Sequence, residues 1–245
     1  MSMVEFYLFY ALIPFVATLY SSVGHGGASG YLALMAIFSF PSEMMKQTAL
    51  LLNLFVAGIA FYQYYKAGYF NKRLFLYFSL SSIPAAYIGG LWSLDPWLYK
   101  KLLGLILFFA ITRMLFKKES ADFKIKKTPI PIAFIIGAFI GLFSGLIGIG
   151  GGIILTPIIL LFHWGTMKEA AAVSALFIWV NSASGLLGQL ASGINLTANA
   201  VVLVSLAFVG GLLGSYYGSQ HWNNRRLEYF LALVLTSAGI KLILF

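Results

Sequence analysis

Two short stretches carry the groups best suited to chemistry. In VGHGGASGYLALMAIF, residues 23–38, Gly24, Gly26 and Gly27 surround His25, and Ser29 follows. In IGIGGGIILTPIILLF, residues 147–162, Gly148, Gly150, Gly151 and Gly152 precede Thr156. Each glycine cluster interrupts a long apolar run and is followed by a short one, residues 28–40 and 153–164. A helix of about 13 residues rises only ~20 Å, against ~30 Å of hydrocarbon. A break inside a membrane frees backbone N–H and C=O groups, which cannot face lipid and must be buried or line a wet cavity. Glycine suits such a break because it tolerates positive φ and lets the backbone approach a ligand. The N–H groups at the start of each short helix have no acceptor within the helix and lie at the positive end of its dipole. That arrangement binds anions. Two such starts facing one another would form an anion site with no fixed cationic side chain.

The remaining polar candidates each carry two readings. His25 either donates to an anion and carries a coupled proton, or pairs with a backbone carbonyl. Asn53 and Asn181 either reach the site or bridge helices. Ser29 and Thr156 fall in the first turns of the short helices, as hydroxyl donors or caps. Gln47, Gln63 and Gln189 read as structural, and His163 and His221 as interfacial.

The elements that must position these residues are membrane helices. The chain is 60% hydrophobic and 9% charged, where a soluble domain carries about a quarter charged residues. Its mean hydropathy is +0.90. Long apolar runs cover residues 4–23, 44–65, 74–92, 97–116, 130–147, 170–190, 196–218 and 227–245. The order long, break, short, long, long, long occurs twice. An internal duplication accounts for it, with residues 1–116 as one membrane repeat, 117–128 as a basic loop and 129–245 as the second repeat. MSMVEFYLFY has Glu5 and no basic start, so it does not read as a cleaved signal peptide.

Net charge is +9, and most of it lies in loops, the pattern of cytoplasmic segments facing anionic lipid. A nucleic-acid partner is rejected on that ground. Placing the 117–128 loop in the cytoplasm puts all but four of the sixteen basic residues on that side, the exceptions being Lys46, Lys100, Lys101 and Lys241. Both termini then lie outside the cell membrane. Each half makes an odd number of passes, so the repeats are inverted, as in many secondary transporters. The expected fold is an all-α polytopic membrane protein of two inverted repeats, each a broken or short helix pair plus three long transmembrane helices.

The seven acids, Glu5, Glu43, Asp95, Glu119, Asp122, Glu169 and Glu228, fall in loops or at run ends. Cation pumps and proton relays usually carry buried carboxylates. There are no cysteines and no HExxH-type metal spacing, so no cofactor and no metal is called for, and an enzyme reading is set aside.

GLFSGLIGIGGGIILTPIIL, residues 141–160, closely resembles the hallmark of the sulfite exporter TauE/SafE family: a glycine-rich break, a short apolar helix and a proline. MKEAAAVSALFIWVNSASG, residues 167–185, resembles the segment that follows it, including its lysine–glutamate–alanine step and its asparagine. The resemblance covers essentially the whole chain, and the first half, with His25, departs more from the pattern. It implies a membrane transporter of small sulfur-containing anions such as sulfite, of organosulfonates and of related carboxylates, some members exporting and some importing. The expectation is a secondary transporter exporting a sulfur oxyanion by alternating access. The alternatives are an anion channel or an importer of a related organic anion. The expected partners are the small anionic substrate and the lipid bilayer.

Overall fold

Prolines, glycines and capping side chains cut the chain into helices close to where the apolar runs end. The computed structural model describes residues 3–115, 125–193 and 200–220. The last apolar run, most of the basic loop and the turn at Arg225 and Arg226 lie outside the described residues. Among the described residues the regular structure is helical throughout. It comprises α1 Met3–Ser21, α2 Ala28–Ile37, α3 Ser42–Lys66, α4 Lys72–Leu91, α5 Pro96–Leu115, α6 Ile130–Ile147, α7 Gly152–Leu161, α8 Met167–Ala191 and α9 Ala200–Gln220. Helices α3, α4, α6 and α8 are long and apolar enough to cross a membrane. Large apolar side chains such as Leu80, Trp97, Leu105, Ile135 and Phe139 are exposed on the outside of the bundle, as suits a lipid-facing surface. This is a multi-pass membrane protein.

The helix starts have local causes. Asn71 accepts the Leu74 N–H at 3.1 Å to begin α4. Asp95 accepts the Trp97 N–H at 2.9 Å to begin α5. Before α8, Thr166 and Glu169 form a reciprocal capping box, which satisfies two donors the helix cannot. Thr166→Ala is therefore expected to lower stability by ~1 kcal/mol while leaving transport intact, a pairing that chemical unfolding and flux assays check together.

The short helices are shorter than the apolar runs suggest, with 10 residues each and a rise of about 15 Å. They end alike. After α2, Ser39 takes φ 61°, its N–H bonds Ala36 O, and the Phe40 N–H bonds Met35 O. After α7, His163 takes φ 59°, its N–H bonds Leu160 O, and the Trp164 N–H bonds Ile159 O. This is a left-handed closing turn built without glycine at the left-handed position.

Each short helix sits in its own core. Around α2, Tyr31, Leu32 and Met35 pack with Phe9, Ile13, Leu52, Tyr99 and Leu203. Around α7, Leu155 and Ile159 pack with Phe78, Ile140, Trp164 and Phe177. Helix α4 packs on α6 and α8, α9 packs on α1 and α3, and α3 packs on α8. The packed groups are thus α1, α2, α3 and α9 on one side and α4, α6, α7 and α8 on the other, joined at the α3–α8 contact. At one end of the bundle the α3–α4 turn meets the start of α8, with Lys168 Nζ donating to Tyr69 Oη at 2.9 Å.

Lys46, an exception to the charge pattern, is buried. Its ammonium donates to the carbonyls of Trp92 at 3.1 Å and Gly89 at 3.4 Å. It caps the carboxyl end of α4, where a cation is favoured, so helix capping accounts for its position.

Candidate functional site

The two glycine breaks meet at one side chain. Asn53, fully buried in α3, accepts the Ala28 N–H at 3.2 Å, in the first turn of α2. Its amide nitrogen faces the other way, toward Ile149 O in the second break at 3.4 Å and Ser182 Oγ on α8 at 3.2 Å. Space explains two of the glycines. A Cβ at Gly26 would run into the Asn53 amide, and one at Gly150 would lie 2.5 Å from Asn53 Nδ2 and 2.8 Å from Ile178 Cγ2. Backbone explains two others. Gly27 at φ 95° and Gly151 at φ 82° are the residues just before α2 and α7, both left-handed, a conformation glycine adopts without a Cβ penalty.

Hydrogen bonding at the breaks is incomplete. Several carbonyls are engaged, Ser22 O by the Tyr64 hydroxyl at 3.2 Å, Ile147 O by the Tyr99 hydroxyl at 3.0 Å and Ile149 O by Asn53, while those of Gly24, Gly26, Gly148 and Gly150 have no donor among the described residues. Among the described residues, the N–H groups of Gly26, Gly27 and Ser29 at one break and of Gly150, Gly151 and Gly152 at the other have no acceptor. All six residues are buried. A buried donor left unpaired costs about 1–3 kcal/mol, and native proteins leave few of them. None of the described carboxylates is buried: Glu5, Glu43 and Asp95 are exposed and Glu169 is half-buried. The site therefore offers donors and a positive field from two helix starts, with no buried carboxylate among the described residues to oppose an anion.

The sequence matches the family described as sulfite exporter TauE/SafE over residues 9–242. The chain belongs to this family. It is 37% identical over 234 residues to the "Probable membrane transporter protein y4hK" of Sinorhizobium fredii (strain NBRC 101917 / NGR234), covering 93% of this chain and 94% of that one. It is 33% identical over 114 residues to the "Probable membrane transporter protein YunE" of Bacillus subtilis (strain 168), covering 46% of this chain and 40% of that one. No solved structure matches it.

In this TauE/SafE chain the other expected site residues fall into four groups. His25 spans the breaks: it is half-buried, with Nδ1 3.0 Å from Val23 O and Nε2 3.4 Å from Thr156 Oγ1 on α7. Thr156 also donates to Ser174 Oγ at 2.8 Å, so a chain of side chains runs from the first break to α8. Ser29 turns away to donate to the Tyr20 hydroxyl at 2.9 Å. Gly24 and Gly148 serve as close-packing points, the first against Ala171 and the second against the Lys46 backbone, and Gly152 lies against Ile178. Asn181 is fully buried, but its amide nitrogen bonds Phe177 O of its own helix at 2.8 Å and its oxygen has no partner. No hydrogen bond joins it to either break.

Several TauE/SafE site residues escaped the sequence reading: Ser182, Ser174 and Ile178 on α8, and Tyr64 and Tyr99, whose hydroxyls satisfy two of the break carbonyls. A signal for the α8 set was present. Ser174, Ile178 and Ser182 recur every fourth residue, on one helix face. Counted from the helix starts, Asn53 in α3 and Ile178 in α8 stand at the same position, and the Ile178 side chain lies against both Gly26 and Gly150.

Proposed function

We propose that this chain is a secondary transporter that moves a small sulfur oxyanion, sulfite or an organosulfonate, outward across the cell membrane. The family and the name of the Sinorhizobium relative support transport. The observation that carries the anion is the set of six buried, unpaired N–H groups at the starts of α2 and α7, with no buried carboxylate among the described residues to balance a cation. The anion takes the unpaired N–H groups of Gly26, Gly27 and Ser29 and of Gly150, Gly151 and Gly152, beside the Asn53 amide.

Transport proceeds by alternating access. Residues 1–116 and 129–245 are inverted repeats joined by the cytoplasmic loop 117–128, with both termini extracytoplasmic. The matched caps of α2 and α7 support this, as does the packing of α4 on α6 and of α1 on α9. The bodies that rock are the two packed groups, since α4 and α9 each lie against helices of the opposite half. With the interior negative, expelling one negative charge gains ~2.3 kcal/mol per 100 mV.

The test is flux from proteoliposomes holding the full chain and loaded with sulfite, taurine or sulfoacetate. Saturable efflux of one sulfur anion supports the proposal. Single-channel currents would make the protein a channel, and flux of none of these anions would overturn the substrate class. His25 supplies the proton coupling on this reading, because imidazole changes charge near neutral pH and here links the first break to Thr156 on α7. In the same vesicles, His25→Ala is expected to flatten the dependence of flux on pH; an unchanged profile would remove His25 from the cycle.

A further inference from the structure

A tyrosine of α2 that the apolar pattern hides points to a third arm of the site. Tyr31 is fully buried, yet its hydroxyl has no hydrogen-bond partner. The side chain stands four residues after Gly27, and helical side chains lean back toward the amino end. Its ring therefore lies over the start of α2. A Cβ built on Gly27 would meet Tyr31 Cζ at 2.7 Å and the hydroxyl oxygen at 2.8 Å. The buried, unpaired hydroxyl thus sits at the same helix start as the unpaired N–H groups of Gly26, Gly27 and Ser29. Other tyrosines near the breaks have partners: Tyr64 bonds Ser22 O, Tyr99 bonds Ile147 O, and Tyr20 takes Ser29. Tyr31 is the exception, in the place where a ligand would supply the acceptor. The corresponding position in α7 is Leu155, one residue before Thr156 and buried in an apolar core. The two helix starts therefore differ in chemistry, with a phenol at one and a His25–Thr156–Ser174 chain at the other.

We propose that Tyr31 donates its hydroxyl proton to the bound anion and selects for anions with several oxygen acceptors. This rests on the anion reading above and sharpens it. A spherical halide can be surrounded by helix-start amides alone. A pyramidal or tetrahedral oxyanion presents separate oxygens, one of which faces a donor arriving from the side chain over Gly27. The cost of leaving that donor unmet falls on anions that lack a suitably placed oxygen.

Tyr31→Phe tests this with little change of shape. The probes are sulfite and chloride, titrated against the purified full-length chain in detergent, with affinity read by calorimetry and anion-free stability by thermal melting. The expected result is a tenfold or greater loss of sulfite affinity, a smaller change for chloride, and an anion-free melting temperature equal to or above that of the wild type. Unchanged sulfite affinity in the variant would overturn the proposal. So would an anion-free melting temperature well below wild type, or failure to fold, since either would mean that the hydroxyl is bonded within the protein. If the wild-type chain itself binds no sulfur oxyanion, the failure belongs to the functional reading and removes this inference with it.

Discussion

Asn53→Asp is expected to reduce sulfite affinity by about a thousandfold while the protein still folds. The substitution is nearly isosteric, and a carboxylate still accepts the Ala28 N–H that Asn53 accepts now at 3.2 Å. A negative charge at a helix start is itself favourable. The loss is on the other side, where the amide no longer donates to Ile149 O and Ser182 Oγ; one buried group left unpaired there costs about 1–3 kcal/mol. The effect on a bound anion is larger. Two like charges ~4 Å apart at an effective dielectric of ~20 repel by ~4 kcal/mol, which is close to three decades in affinity. Asn53→Ala separates the two effects, because it removes the amide's donor bonds to Ile149 O and Ser182 Oγ, and the Ala28 acceptor as well, without adding charge. Titration of both variants with sulfite should rank them wild type, then alanine, then aspartate. Equal losses in the two would place Asn53 in packing alone.

Gly150→Ala is expected to cost about 2–5 kcal/mol and to abolish transport. Gly150 stands at φ 77°, which disfavours a side chain by ~1–2 kcal/mol. Its Cβ would meet Asn53 Nδ2 at 2.5 Å, Ile178 Cγ2 at 2.8 Å and Ser182 Oγ at 3.1 Å, and overpacking of that kind adds ~1–3 kcal/mol. These neighbours cannot yield cheaply, because Asn53 is itself tied to Ala28 in the other break. Gly68→Ala supplies the control. Gly68 has a similar φ of 81° with nothing within 4 Å of its Cβ, so only the backbone strain of ~1–2 kcal/mol applies and flux should stay at wild-type level. Thermal melting and sulfite flux, measured on both variants, distinguish strain at the junction from strain in general.

Much of the architecture was legible because punctuation and periodicity agree. The run predicted at 130–147 is α6 itself, delimited by Pro129 before it and left-handed Gly148 after it. The short helices were overextended because Ser39 and His163 adopt the left-handed turn that glycine usually marks, and neither residue type announces a stop. The membership of the site divides by chemistry. Asn53 stood out as an amide in an apolar run, and the glycines stood out as clusters. Ser182 and Ser174 did not, since serine is common in membrane helices and packs or bonds locally. Tyr31 looked like core, and it is buried as core; that its hydroxyl lacks a partner is a tertiary fact that no local pattern carries. Asn181 stands out by residue type, whereas position counted from the helix start pairs Asn53 with Ile178, whose methyl lies against Gly26 and Gly150.

Whether an anion sits between the starts of α2 and α7 can be seen by anomalous diffraction from crystals of the full chain soaked in selenite, the selenium analogue of sulfite. One strong selenium peak is expected within hydrogen-bonding distance of the backbone nitrogens of Gly26, Gly27, Ser29 and Gly150, Gly151, Gly152, beside the Asn53 amide, and it should disappear on competition with sulfite. A sulfite-competed peak elsewhere in the bundle, with the two glycine breaks unoccupied, would contradict that placement.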